Sequence, residues 1–117
     1  MENKIEKGVF GENLAITFLK NKNYQIIATH FKFGRKEIDI IAIENNCLIF
    51  IEVKFRKNTT FGFPEESVNL KKQKNIKEVA EHYIFLNNWI GNIRFDIIAI
   101  LQQKNKIEYF HIEDAFY

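Results

Sequence analysis

A chain of 117 residues is long enough for one hydrophobic core and too short for two, so any site must be built within a single domain spanning residues 1–117 or between two copies of it. Hydrophobic residues at 46% and charged residues at 27% exclude intrinsic disorder, and no apolar run reaches bilayer length or gives residues 1–7 the character of a secretory leader. The single cysteine, Cys47, excludes an internal disulfide, and the cytoplasm is the expected compartment.

The net charge of +2 hides an uneven distribution. Between positions 54 and 77 lie seven basic residues, Lys54, Arg56, Lys57, Lys71, Lys72, Lys74 and Lys77, against Glu65 and Glu66, so this segment carries +5 and the remainder −3. A basic segment of this kind suits the phosphates of a polyanion, and a solvated helix face accounts for lysines equally well.

Residues 3–21 read as a helix, with Gly11, Leu14, Ala15, Phe18 and Leu19 at helical spacing. Three β-rich runs follow at 24–31, 37–43 and 48–55, and the short polar breaks between them predict an antiparallel meander. Residues 56–68 hold the only proline, Pro64, and read as an ordered surface loop, on which Phe61 and Phe63 are candidates for stacking on bases. Asn69 is a good N-cap for a second helix ending near Leu86, with the stripe Ile76, Val79, Ala80, Tyr83 and Ile84. Strands at 93–101 and 106–112 complete the order α-β-β-β-α-β-β. A helix between the third and fourth strands permits a right-handed crossover, so an α/β fold with a mixed sheet flanked by helices is expected.

The chemistry concentrates on two strands. In Lys36-Glu37-Ile38-Asp39-Ile40-Ile41-Ala42 a period of two puts Glu37 and Asp39 on one face, with Ile38, Ile40 and Ala42 opposite. In Ile49-Phe50-Ile51-Glu52-Val53-Lys54-Phe55 it pairs Glu52 with Lys54, opposite Ile51, Val53 and Phe55. Charges inside apolar strands are costly unless paired, hydrogen-bonded or metal-bound. One reading is a structural ion pair on a half-exposed sheet face. The other is a divalent-metal site: Asp39 and Glu52 are hard oxygen ligands suited to magnesium or manganese, and Lys54 can stabilise charge.

A carboxylate on one strand followed by Glu-x-Lys on its hairpin partner resembles the active-site pattern of the PD-(D/E)xK, or restriction-endonuclease-like, nucleases. The longer text carries more: Gly11-Glu12-Asn13-Leu14-Ala15, Glu37-Ile38-Asp39-Ile40-Ile41-Ala42, Phe50-Ile51-Glu52-Val53-Lys54-Phe55-Arg56, Phe61-Gly62-Phe63-Pro64, Arg94-Phe95-Asp96 and Asp114-Ala115-Phe116. In this order and spacing they resemble the YraN-like family of small bacterial predicted endonucleases over nearly the whole chain. Lys36 departs from the glycine usual in that family.

The resemblance implies a nuclease-like fold related to Holliday-junction resolvases, with a carboxylate on the first helix, here Glu12, joining Asp39 and Glu52. On a helical wheel Glu12 falls beside Gly8, Ala15 and Leu19, at the margin of the apolar face. The expected activity is magnesium- or manganese-dependent cleavage of nucleic acid, DNA ahead of RNA. In this reading Asp39, Glu52 and Glu12 hold the metal, Lys54 offsets charge and Glu37 stands behind them. Arg56, Lys57, Lys71, Lys72 and Lys74 are the expected phosphate contacts. Gln73 matches in type a helix residue that related nucleases place near substrate, although a solvent-facing glutamine explains it too. Resolvase-like relatives imply a homodimer. The alternatives are a non-catalytic nucleic-acid-binding module of the same fold, and a protein-interaction domain with a structural ion-pair network. Arg94 and Asp96 read as an intrasheet ion pair, and His30, His82 and His111 show no metal-ligand spacing and read as structural or exposed.

Overall fold

Helix α1 (Lys4–Asn21) precedes three strands, β1 (Gln25–Phe33), β2 (Lys36–Glu44) and β3 (Cys47–Arg56); α2 (Leu70–Asn87), β4 (Asn92–Gln103) and β5 (Lys106–Phe116) follow. The structure is a computed structural model and describes residues 4–57 and 68–117. The helix start at Asn3 and the loop bearing Phe61, Phe63 and Pro64 lie outside the described residues. Among those described, the element order is the one the hydrophobic pattern predicts, and no helix is long and apolar enough to cross a membrane.

The five strands lie in chain order. β1, β2 and β3 form an antiparallel meander, α2 carries the chain across to a parallel β4, and β5 returns antiparallel. Local chemistry sets the corners. Asn45 and Asn46 both have positive φ, 50° and 61°, the paired left-handed geometry of a tight two-residue hairpin. α1 stops where Asn23 enters the left-handed region and the Asn23 and Tyr24 N–H groups turn back to the carbonyls of Lys20 and Leu19. α2 starts where the Asn69 side chain accepts the Lys72 N–H at 2.9 Å.

Burial on both faces divides the core in two. On the α2 side Ile38, Ile41, Leu48, Phe50, Phe95 and Ile97 meet Ile76, Val79 and Ala80. On the α1 side Ile40, Ala42, Ile49, Ile51, Phe55, Ile98 and Ile100 meet Ala15 and Leu19. β3 and β4, covered on both sides, are therefore near-continuous apolar runs. In β3 the expected alternation holds, with Ile51, Val53 and Phe55 on the α1 side. In β2 it does not: Ile38 belongs to the α2-side core, whereas Ile40 and Ala42 belong to the other. The strand changes face at Asp39.

Gly11 fixes how near α1 lies to β3. A Cβ at this position would stand 2.8 Å from Phe55 Cβ, an atom too close to the backbone to swing away, whereas a Cβ at Gly8 would meet nothing within 4 Å among the described residues. An alanine inside a helix is worth about 1 kcal/mol over glycine, and overpacking a fitted contact costs about 1–3 kcal/mol. Gly8→Ala is thus expected to raise the stability measured by urea unfolding, and Gly11→Ala to forfeit that gain and lower it. Equal stabilisation by both would show that helix and strand are not in close contact at Gly11.

Candidate functional site

The last paired residues of β2 and β3 on the Ile40 side are Ile40 and Ile51. Beyond them the strands part, and the Val53 N–H donates to Asp39 Oδ2 at 2.8 Å instead of to a backbone carbonyl. Glu52, between Ile51 and Val53, is left facing the gap. Helix α1 closes one side and the first turn of α2 the other, giving a cleft of about 360 Å³ lined by Glu12, Asp39, Glu52, Lys54, Arg56 and Lys72 among others. Four residues singled out in the sequence, Glu12, Asp39, Glu52 and Lys54, thus border one space.

Glu52 is the anomaly in this cleft. It is 4% exposed, and its Oε2 has no hydrogen-bond partner among the described residues. Lys72 Nζ stands 3.5 Å from that oxygen, a counter-charge beyond ordinary hydrogen-bonding distance. Burial, then the shared hydrogen bond with Asp39 and its negative charge, push the Glu52 carboxyl up to about 9, while Lys72 and Lys54 pull it down. Burial also raises Glu12, reinforced by the charges of Asp39 and Glu37 and opposed by His30. The carboxylates therefore crowd one another, and Glu52 above all favours its protonated form, from which a cation would displace the proton.

His30 is exposed, as expected, and it joins this group through two close contacts. Its Nε2 lies 2.5 Å from Glu12 Oε2 and its Nδ1 2.5 Å from Glu37 Oε1. Donation to both requires the imidazolium form; accordingly the Glu37 hydrogen bond raises the His30 pKa, Glu12 adding to it against burial. Ligand atoms of Glu12, His30 and Glu37 all lie within 4.8 Å of one another, a spacing that can hold a metal ion. The backbone at His30 is left-handed, φ 53°, and its neighbours Thr29 and Phe31 pair with Ile40 and Ile38, which places His30 across from Asp39. Strand periodicity gives no warning of that conformation.

The basic residues divide. Arg56 and Lys72 line the cleft, and Lys71 and Lys74 are exposed on α2. Lys57 borders a separate depression with Lys104 and Lys106. Gln73 does not face the cleft as a free side chain: its amide donates to the Val68 carbonyl at 3.1 Å. Lys36 forms an ion pair with Glu78. Arg94 and Asp96 make the expected ion pair, with Nε–Oδ1 and Nη2–Oδ2 both 2.8 Å, joined by His111 and the Asp114 N–H. Burial alone would raise the Asp96 carboxyl, but these donors hold it low. His82 stacks on Phe33.

Fold and cleft together define a small mixed α/β protein with a buried glutamate beside a part-buried aspartate at a strand fork, and basic side chains on the cleft wall. The chain belongs to the uncharacterised protein family UPF0102, whose sequence profile matches residues 11–100. It is 52% identical over 100 residues to a UPF0102 protein of Cytophaga hutchinsonii, covering 86% of this chain and 88% of that relative. A UPF0102 protein of Caldicellulosiruptor bescii is 47% identical over 113 residues, covering 93% and 95%. One from Clostridioides difficile is 44% identical over 117 residues, covering 99% and 100%.

The Glu52 pKa has a consequence for stability. Its folded value of about 9 exceeds the ordinary 4.5, so the folded chain retains a proton that the unfolded chain releases. The stability this group contributes is fully present below its unfolded pKa and is lost as pH rises toward about 9. In EDTA, the melting temperature of the parent is expected to fall relative to Glu52→Gln as pH rises through that window. Parallel melting curves for the two proteins across it would show that Glu52 titrates normally.

Proposed function

We propose that this chain is a divalent-cation-dependent nuclease of restriction-endonuclease-like fold, hydrolysing phosphodiesters of nucleic acid, DNA ahead of RNA. The observation that carries this reading is the buried Glu52 Oε2, which has no hydrogen-bond donor among the described residues in a cleft it shares with Asp39 and Glu12. Buried polar atoms are nearly always satisfied, and a hard cation ligated by oxygen satisfies such a set of carboxylates.

Asp39, Glu52 and Glu12 would hold magnesium or manganese. When bound, such an ion supplies charge stabilisation at a phosphoryl oxygen. The residues of the chain do the rest. Asp39 is aimed by the Val53 N–H, which fixes its carboxylate on the cleft wall beside Glu52. Glu12 is held by His30, and Glu37 holds the far side of the same ring. Lys54 sets a positive charge beside Glu52 to offset charge developing at the phosphate. Arg56 and Lys72 at the cleft wall, with Lys71 and Lys74 on the exposed face of α2, hold the backbone without reading bases.

The Lys72–Glu52 ion pair favours a second reading, a binding module in which lysine serves as the permanent counter-charge. Single-stranded, duplex, flap and four-way-junction DNA and RNA, incubated with magnesium, manganese or EDTA, separate the two. Cleavage with the metals and none in EDTA is expected. Asp39→Asn should lose cation affinity and turnover together, whereas Lys54→Ala should keep cation affinity and lose about 10²–10³ in turnover, as for removal of one transition-state donor. Salt-dependent binding with no cleavage of any substrate would establish the module instead.

A further inference from the structure

Beside the cleft, between the β1–β2 turn and α2, lies a second depression of about 300 Å³ whose walls include Arg35, Lys36, Glu37, Asp39, Lys72 and Asn75. Asp39 and Lys72 border both spaces, so the two lie side by side at the strand fork. The acidic walls are already engaged: Glu37 with the His30 ring, and Asp39 with the Val53 N–H. The basic walls are not engaged to the same degree. Arg35, next to Gly34 at the turn tip, is exposed and makes no ion pair among the described residues.

Lys36 does have a partner, Glu78, but both side chains are 38% exposed. Ion pairs this open contribute little and exchange readily for another anion. The depression therefore presents an arginine fork, a lysine that can be released and the flank of Lys72, with the Asn75 amide beside them. Guanidinium and ammonium groups in this arrangement fit a phosphate monoanion. The position is also informative, since the depression adjoins Asp39, where a strand whose reacting phosphate lies at Asp39 and Glu52 can continue past Arg35 and Lys36.

We infer that this depression is a subsite for a neighbouring phosphodiester of the bound nucleic-acid strand, with Arg35 and Lys36 as its principal contacts. The inference rests on the nuclease reading and adds the direction in which the strand runs. Neither residue lies in the basic segment that the sequence singles out. Glu78 is the internal competitor for Lys36, so its removal should strengthen the subsite.

The test is fluorescence anisotropy with labelled single-stranded DNA, duplex DNA and RNA oligonucleotides over a salt series, in EDTA and again with calcium. Arg35→Gln and Lys36→Gln should each weaken binding roughly 5- to 10-fold at ~0.1 M salt and reduce the slope of log affinity against log salt by about one. Glu78→Gln should tighten binding and steepen the slope. Lys104→Gln, at the distant β4–β5 turn, should change neither. If the parent binds with a steep salt dependence and Arg35→Gln and Lys36→Gln match it, the subsite is wrong and the nuclease reading survives. If the parent binds none of the oligonucleotides, both fall.

Discussion

The Val53 N–H loses its backbone acceptor when β2 leaves β3 beyond Ile40, and the Asp39 carboxylate takes that place at 2.8 Å. The rest of the cleft depends on this substitution. A buried N–H left unpaired would cost about 1–3 kcal/mol, so the fork is tenable only with a side-chain acceptor at the point where the strands part. That acceptor is an acid, and it brings negative charge next to Glu52, which the parting has already stripped of a neighbour. The electrostatic tension of the cleft follows from a hydrogen-bonding problem in the sheet.

The two helices confine that tension. α1 can approach because Gly11 presents no side chain to Phe55, and the approach delivers Glu12 to the fork. α2 begins at the fork's other wall because Asn69 caps it there, and its first turn carries Lys72 to Glu52. Neither helix has freedom to drift, since each lies on a face of β3 and β4 filled with buried isoleucines and phenylalanines. Side chains mounted on central strands covered from both sides are held more closely than loop residues would be.

Much of this was legible in the sequence for identifiable reasons. The elements follow from long apolar runs and from asparagines at turns and caps, where the side chain and the backbone preference agree. Asp39, Glu52 and Lys54 stood out because ionisable residues interrupt strands otherwise rich in isoleucine. What alternation misjudged was β2, where Ile38 lies on the opposite side from Ile40 and Ala42; a period of two assumes a regular strand, and the fork ends that regularity at Asp39. Gln73 looked available because its contact with the Val68 carbonyl depends on how the loop enters α2. Lys57 belonged to the same charge run as Lys72, yet it borders a different surface, because a count along the chain carries no direction.

Position 30 shows how narrow the choice of residue can become when backbone and side chain make separate demands. Its left-handed conformation, φ 53°, disfavours the branched and bulky residues that strands usually recruit and leaves chiefly glycine, asparagine, aspartate and histidine. Its contacts ask for donors at both ends of a rigid body, one for Glu12 and one for Glu37. Glycine has no side chain, aspartate offers no donor when ionised, and the two donors of asparagine share one nitrogen. Of these four, histidine alone meets both demands, and nothing in its appearance in the chain announces them.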